Sequence, residues 1–330
     1  MSGLSGGPGG PGEQPARRRR PAEGRVALYA ALASLVLALA SLTWVTMGAD
    51  TPGGPQSAAD PSQAPSPGPG AGGSGGLSGV PADEAGARRP TGEAALVDNP
   101  LYDTGRLSPL PCPAPDMNVD DPGSVDRFLN AVADCLDQAW ATQFAKAGIP
   151  FQPPERIFWT EPGTSPCRDY PSAAGAFYCR ANAGIYIGTS DVVEKWNGVQ
   201  TSAVYASLLA HEYGHHVQGE SGLLEYYHEQ RRLETEVTDQ NAWTRRSELQ
   251  ANCLAGVFLG SVRVSYPLDK AAIDRVIDDA SSTADREDGP EDERTHGSAE
   301  NSILWMEHGL ERQSAGACNT WQVADESLVQ

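Results

Sequence analysis

The longest uninterrupted apolar stretch of the chain runs from Val26 to Met47 and contains no charged residue. A helix of about 20 residues crosses the hydrocarbon core of a bilayer. Four consecutive arginines at 17–20 lie shortly before the stretch, and positively charged flanks stay on the cytoplasmic side. The pattern predicts one transmembrane anchor at 26–47, with a cytoplasmic tail at 1–25 and the remainder outside the cell membrane.

A cleaved signal peptide is the alternative to an anchor. The apolar region of a signal peptide is about 7–15 residues long and ends at a small-x-small cleavage site. The stretch here is longer and no clean site of that kind follows it. The sequence therefore favours the anchor, and with either interpretation the bulk of the protein is exported.

Residues 48–98 are dominated by Pro, Gly, Ser and Ala. Such a segment buries too little apolar surface to offset the entropy of ordering it. It is predicted to be a disordered, extended linker. The part of the chain that can fold is predicted at 99–330.

The hydrophobic pattern of this folded part predicts an α+β domain that is dominated by helices. Apolar residues recur at helical spacing over 125–147, where Ser124 is a candidate N-cap. Further helices are predicted at 202–218, 247–259 (with an earlier start left open), 269–280 and 299–310. Short strands are predicted at 157–159, 176–179 and 185–187, and the last two form a small hairpin.

Charge and cysteine content narrow the class of protein. The net charge of −19 makes nucleic acid an unfavourable partner, because an acidic surface repels phosphate. The six cysteines all follow the apolar stretch, and an even number in an oxidising compartment indicates disulfides. Sequence alone leaves the connectivity open. The preferred pairs are Cys112–Cys135 and Cys167–Cys179, which close short loops, and Cys253–Cys318.

The segment from His211 to His215 reads H-E-x-x-H within a predicted helix. Residues four apart differ by only about 40° around a helix, so both histidines face one cation. Glu212 lies beside them and reaches a water on an open coordination position. This is the helix-borne zinc motif with a carboxylate base. It predicts Zn²⁺ as cofactor, with His211 and His215 as ligands and Glu212 as catalytic base.

A third ligand has to come from further along the chain. Glu248 is the best candidate, because it begins an apolar, small-residue helix where a carboxylate needs a partner or a metal. A carboxylate that merely interacts with the helix dipole is the alternative. His228, Glu236 and Asp239 are weaker candidates, since they lie in a charged stretch that is expected to be solvated.

These motifs resemble the neutral zinc metallopeptidase family of bacteria. The resemblance rests on H-E-Y-G-H-H-V-Q at 211–218 and E-L-Q-A-x-C-x-A-G-V at 248–257, with supporting matches from about Pro166 to Thr320. It implies a zincin-like fold with His, His and Glu ligands, similar to gluzincins. It also supports the Cys253–Cys318 pair.

The chain departs from the family pattern at several positions. An Asp usually stands where Asn252, Asn182 and Gly188 are found, and Asn301-Ser302 replaces a Gln-Arg pair. The amide oxygen of Asn252 can still accept a hydrogen bond from a ligand imidazole, but it lacks the charge that raises ligand basicity. Because the ligands and the base are intact, we interpret the departures as tuning of activity.

The expected chemistry is hydrolysis of a peptide or protein substrate by zinc-activated water, with Glu212 as general base. The developing oxyanion needs a second donor. His296 is the candidate, with Tyr226 and Tyr227 as alternatives. The hairpin around Tyr178 and Ile185 either offers an edge strand along which a peptide can lie or belongs to a core sheet.

Two other classes of function stay open. The first is a catalytically attenuated zinc-binding ectodomain that acts as a binding module. The departures from the family pattern at Asn252 and Asn182 are the reason to consider it. The second is an exported structural protein that is stabilised by its disulfides and has an incidental His/Glu cluster. Metal content separates the structural protein from the other two, and activity of a Glu212→Gln variant separates the peptidase from the binding module.

Overall fold

The computed structural model of the chain describes residues 88–113, 115–171, 175–266 and 268–330. The tail predicted at 1–25, the anchor predicted at 26–47 and most of the linker predicted at 48–98 lie outside these residues. No helix within the described ranges combines the length and the apolar character that a bilayer crossing requires.

Helices dominate the described part of the chain, as predicted. In chain order they are α1 (Ala94–Val97), α2 (Pro122–Ala147), α3 (Thr189–Lys195), α4 (Ser202–Glu220), α5 (Leu223–Leu233), α6 (Val237–Val262), α7 (Lys270–Ser282) and α8 (Ala299–Arg312). Single turns of 3₁₀-helix lie at Pro100–Thr104, Glu291–Glu293, Ala315–Cys318 and Glu326–Val329. The helix predicted from the pattern at 247–259 is therefore the second half of a longer helix.

The strands form two small sheets. They are β1 (Glu155–Trp159), β2 (Gly163–Thr164), β3 (Asp169–Tyr170), β4 (Ala176–Cys179) and β5 (Gly184–Gly188). β4 and β5 form the predicted antiparallel hairpin, and β1 pairs with β5 in parallel to complete a sheet of order β1-β5-β4. β2 and β3 form a separate antiparallel pair. The helix-dominated α+β architecture agrees with the class predicted from the sequence, and β4 lies at an edge of its sheet.

The start of α2 differs from the prediction. Asp121, and not Ser124, is the N-cap residue, and its side chain accepts a hydrogen bond from the Gly123 N–H at 3.0 Å. Pro122 occupies the first turn, where its fixed φ suits a helix and its missing N–H leaves no donor unpaired. The Ser124 hydroxyl instead accepts a hydrogen bond from the Asn118 N–H.

Helix α6 lies between α4 and α8 and packs closely against both. A Cβ atom on Gly309 of α8 would lie 2.0 Å from the Cys253 carbonyl oxygen of α6, so only glycine permits this contact. On the opposite side, a Cβ atom on Gly214 of α4 would lie 3.1 Å from the Ala251 backbone. The two glycines bring α4, α6 and α8 into backbone contact.

All three preferred disulfides are present. Two disulfides join cysteines that are near in sequence: Cys112–Cys135 spans 23 residues and Cys167–Cys179 spans 12. The third, Cys253–Cys318, joins cysteines that are 65 residues apart. The last one ties the segment after α8 to the middle of α6.

The two ends of the described region meet beside α6. The Leu107 N–H donates to the Gln313 carbonyl at 2.7 Å, and the Asn319 side chain donates to the Val97 carbonyl at 3.3 Å. Leu96 of α1 is buried against residues of α5. The folded region therefore extends to the N-terminal side of residue 99, where the sequence pattern placed its start.

Candidate metal centre

Helix α4 carries the H-E-x-x-H motif with one face exposed to a cleft. Its other residues are mostly buried, including Leu209, Ala210 and Tyr213, because the helix crosses the core of the domain. The side chains of His211 and His215 are 20% and 14% exposed. They project from neighbouring turns, with ring centroids 4.9 Å apart, as the spacing predicts.

Helix α6 brings Glu248 to the same point. The close approach of α6 to α4 at Gly214 places the Glu248 Oε2 atom 3.3 Å from His211 Nε2 and 3.4 Å from His215 Nε2. The structure therefore brings together the three residues that the sequence predicts as ligands.

The three side chains fit a tetrahedral zinc ion. Zinc binds histidine nitrogen and carboxylate oxygen at about 2.0–2.2 Å, and tetrahedral ligands at such bond lengths lie about 3.4 Å from one another. The two nitrogen–oxygen distances given above match this spacing, and the three ligand atoms all lie within 4.8 Å of one another. Three protein ligands leave one coordination position open.

The charges of the group favour a bound cation. Burial by itself would raise the pKa of Glu248, but the adjacent His215 and His211 hold it well below its usual range. Burial would likewise lower the pKa of His215, but the Glu248 carboxylate raises it to about 9. An ionised, largely buried carboxylate between two imidazoles is an environment that attracts positive charge.

Both imidazoles are oriented by amide oxygens on the side away from Glu248. His211 Nδ1 lies 2.8 Å from Asn252 Oδ1, as the sequence predicts, and His215 Nδ1 lies 2.9 Å from Gln218 Oε1. With Nδ1–H donating to an amide, the Nε2 atom of each ring, on the side of Glu248, is the one that would bind a metal. The sequence analysis missed Gln218, although its position three residues after His215 puts both on one helix face.

Glu212 is buried beside the histidines at 7% exposure. Burial raises its pKa above the usual value, and the neighbouring His211 and His215 only partly offset that effect. The backbone of Tyr178 on β4 also acts to lower this pKa. The candidate base therefore lies close to the edge strand of the sheet.

A cavity of about 440 Å³ opens next to this group. His211, Glu212 and Asn252 line one part of it, and its apolar walls come from Ala176, Trp196, Leu208 and Met306. His296 lines the same cavity, with its Nδ1 atom 3.0 Å from the Thr295 hydroxyl. The candidate base, one edge of β4 and the candidate oxyanion donor therefore face a common space.

The alternative candidates for the third metal ligand lie outside this group. Glu236 and Asp239 are exposed at the start of α6, and His228 is partly buried on α5. Among the described residues, the group close enough to hold an ion contains none of the three. Burial, followed by Arg180, Arg231 and Arg232, lowers the pKa of His228 to about 4.

The two tyrosines that were considered as oxyanion donors do not line this cavity. The Tyr227 hydroxyl donates to Thr244 at 3.2 Å, and Tyr226 lines a separate cavity together with Trp243 and Trp321. His296 is therefore the candidate that the geometry favours.

Residues 116–321 match the sequence profile of the family described as "Putative neutral zinc metallopeptidase". This chain belongs to that family. It is 27% identical over 206 residues to the uncharacterized protein YpfJ of Escherichia coli K12, which covers 59% of this chain and 71% of YpfJ. It is 29% identical over 226 residues to the uncharacterized protein Rv2575 of Mycobacterium tuberculosis H37Rv, or 61% of this chain and 73% of the relative. No solved structure matches the chain.

Membership in the neutral zinc metallopeptidase family implies Zn²⁺ as the cofactor. The His211, His215 and Glu248 group has the donor atoms and spacing for this ion. Asn182 and Gly188, two of the departures from the family pattern, lie at the β4–β5 turn and at the end of β5, and neither lines the cavity. Asn252 is the departure that contacts a candidate ligand.

Proposed function

We propose that this chain is a membrane-anchored, extracytoplasmic zinc peptidase that hydrolyses peptide bonds with Glu212 as general base. The observation that carries the proposal is the placement of the Glu212 carboxylate beside the two imidazoles and Glu248, facing a cavity that borders the edge strand β4. A carboxylate in that position can exchange a proton with a water directed at a substrate carbonyl.

The position of each side chain indicates its role in the proposed reaction. His211, His215 and Glu248 would hold the zinc ion, which would supply Lewis acidity for the activation of water and of the substrate carbonyl. Glu212 takes the proton of the attacking water and later delivers it to the amine leaving group.

A peptide substrate would lie along β4. This strand pairs with β5 on one side, and Ala176 on β4 lines the cavity together with Glu212. An extended peptide can add to such an edge through backbone hydrogen bonds, while its side chains enter the apolar part of the cavity.

His296 would stabilise the negative charge that develops on the carbonyl oxygen. The Asp285 carboxylate, 3.8 Å from its Nδ1 atom, raises the pKa of His296, which favours a donating imidazole. A positioned donor of this kind contributes about 3 kcal/mol to transition-state stabilisation.

The anchoring part of the proposal rests on the apolar residues 26–47 and the arginines at 17–20. We expect a tag at the carboxyl end of the full chain to be digested by protease added to spheroplasts, while a tag at the amino end is protected. Release of the protein by an alkaline wash of membranes would argue against an anchor.

The test of the activity compares the full-length protein with a Glu212→Gln variant. The wild type should contain one zinc per chain and cleave members of a fluorescence-quenched peptide library until a chelator is added. Glu212→Gln should retain zinc but cleave about 10³-fold more slowly, because a neutral amide cannot accept the proton. Glu225→Gln, an exposed glutamate of α5, is the matched control and should remain active.

The remaining outcomes distinguish the other classes of function. Zinc without cleavage of any peptide by the wild type would support the binding module. Absence of zinc from the wild type would show that the His/Glu group is incidental.

A further inference from the structure

We propose that Gln218 is a positioning residue that holds the proton of His215 on Nδ1, and that a chain of buried hydrogen bonds sets the orientation of Gln218. The inference rests on the ligand set of the proposed function. It adds a residue that acts through a ligand and does not itself touch the zinc ion or the substrate.

Gln218 is 1% exposed and uses every hydrogen-bonding position of its amide. Its Oε1 atom accepts from His215 Nδ1 at 2.9 Å and from the Ser247 hydroxyl at 3.1 Å. Its Nε2 atom donates to the Ser247 carbonyl at 2.8 Å and to Gln250 Oε1 at 2.9 Å. A buried amide with all its partners in place has one orientation.

The direction of these bonds determines the tautomer of His215. A backbone carbonyl only accepts, so the NH₂ group of Gln218 has to face Ser247. Its oxygen then faces His215, and the Nδ1 atom of the ring has to carry the proton. In the neutral ring that binds a metal, the lone pair is then on Nε2, the atom that lies 3.4 Å from Glu248 Oε2.

Gln250 continues this hydrogen-bond network one residue further from the metal centre. Its Nε2 atom donates to the Cys318 carbonyl at 2.9 Å and to the Tyr102 hydroxyl at 3.0 Å. Its Oε1 atom accepts from the indole N–H of Trp321 at 3.3 Å. The carbonyl accepts only and the indole donates only, so they fix the orientation of Gln250 and, through it, support that of Gln218.

His211 lacks a comparable arrangement. In the described part of the chain, the hydrogen bonding of the Asn252 side chain is limited to His211, and Asn252 lines the open cavity. The buried network therefore serves one of the two histidines, and it depends on residues before and after the core helices.

The experiment compares Gln218→Met with Gln143→Met in the full-length protein. Gln143 is equally buried, on α2, and donates to the Gly105 carbonyl, so its variant reports the general cost of losing a buried amide. Zinc affinity is measured by competition with a chelating dye, and folding by thermal unfolding. We expect Gln218→Met to lower the zinc affinity about 10–100-fold, while Gln143→Met leaves it unchanged.

A second readout separates positioning from simple packing. The Nδ1 proton of His215, buried against Gln218 in the zinc-loaded wild type, should give a slowly exchanging imidazole N–H resonance in the proton NMR spectrum. Gln218→Met should lose or shift this resonance. Gln218→Glu, which keeps an acceptor for the same proton, should retain it and should restore part of the zinc affinity even though it is less stable.

Gln250→Met provides the test if Gln218→Met fails to fold. It leaves the contacts between Gln218 and Ser247 in place, so we expect a smaller loss of zinc affinity in the same direction. Wild-type affinity and an unchanged resonance in Gln218→Met, or in Gln250→Met where the former cannot be measured, would overturn the inference. An equal loss of affinity in Gln143→Met would do the same. A wild-type protein that binds no zinc would overturn the proposed function instead.

Discussion

At the scale of single residues, the two imidazoles of the metal centre have similar acceptors in different surroundings. Gln218 is enclosed by other polar groups, whereas Asn252 faces the cavity and bonds only His211 among the described residues. A neutral amide at position 252 holds the ring without adding charge to it. The affinity of the site for zinc is therefore open to adjustment at this one residue.

The first prediction concerns Asn252→Asp. A carboxylate that accepts from His211 Nδ1–H makes the imidazole a stronger base, so we expect the zinc affinity to rise about 10-fold. Asn130→Asp adds the same charge on α2 and should have no effect. Zinc competition titrations of both variants provide the measurement, and unchanged or weaker binding in Asn252→Asp would contradict the geometry at His211.

Most of the candidate site could be predicted because its residues follow local rules. His211, Glu212 and His215 lie within two turns of one helix, and Glu248 is an ionisable residue that opens an apolar segment. The contact between Gln218 and His215 could not be predicted in its role. Its surroundings depend on how α4 packs against α6, and polar contacts between distant elements leave no periodic pattern in a sequence.

At the scale of elements, the segment between α7 and α8 is folded around Asp285. The Asp285 carboxylate accepts backbone N–H bonds from Thr295, His296 and Gly297 at 2.9, 2.9 and 2.7 Å. Burial would raise the pKa of Asp285, but the hydrogen bonds from His296 and its neighbours lower it. One ionised side chain therefore shapes the loop that carries His296 to the cavity.

The second prediction concerns Asp285→Asn. Loss of charge-assisted hydrogen bonds should lower the free energy of unfolding by about 2 kcal/mol near pH 7. A depressed folded-state pKa contributes stability above the unfolded value of about 4, and this contribution disappears as the pH falls through the folded-state pKa. The difference between wild type and variant in urea unfolding should therefore narrow below about pH 4.

Asp288→Asn is the matched control for that series. Asp288 lies in the same loop, is 77% exposed and pairs with the exposed Arg286. Its replacement should leave stability unchanged at every pH. A constant difference between wild type and Asp285→Asn from pH 7 down to pH 3 would contradict a lowered pKa of Asp285 in the folded protein.

The elements themselves were predictable to different degrees. The helices at 202–220, 270–282 and 299–312 follow their hydrophobic periodicity closely. The parallel pairing of β1 with β5 was not predicted, because it joins strands that are separated by three other strands in the sequence. The start of α2 at Pro122 was missed because the cap lies outside the apolar pattern on which the prediction relied.

At the scale of the whole described region, disulfides and contacts between its two ends hold the helices around the metal centre. The Cys253–Cys318 disulfide closes 65 residues, while Cys167–Cys179 closes 12. Cys318 also provides the carbonyl that accepts from Gln250. The long-range disulfide is therefore expected to affect both folding and metal binding.

The third prediction compares paired Cys→Ala replacements. In the chain-entropy description, loss of Cys253–Cys318 lowers the free energy of unfolding by about 4 kcal/mol and loss of Cys167–Cys179 by about 3 kcal/mol. Only the first pair should also weaken zinc binding. Guanidinium unfolding and zinc competition measure the two effects, and equal zinc affinity in both variants would refute the link through Cys318.

The contact between the two ends of the described region beside α6 has a practical consequence for the size of the smallest fragment that folds on its own. The family likeness covers residues 116–321, yet Tyr102 reaches Gln250 and Cys112 is bonded to Cys135 from outside that interval. A fragment trimmed to residues 116–321 would lose both contacts. The smallest fragment that folds on its own is therefore expected to be longer than the interval of family likeness, because it has to include the residues that contact the helices from outside.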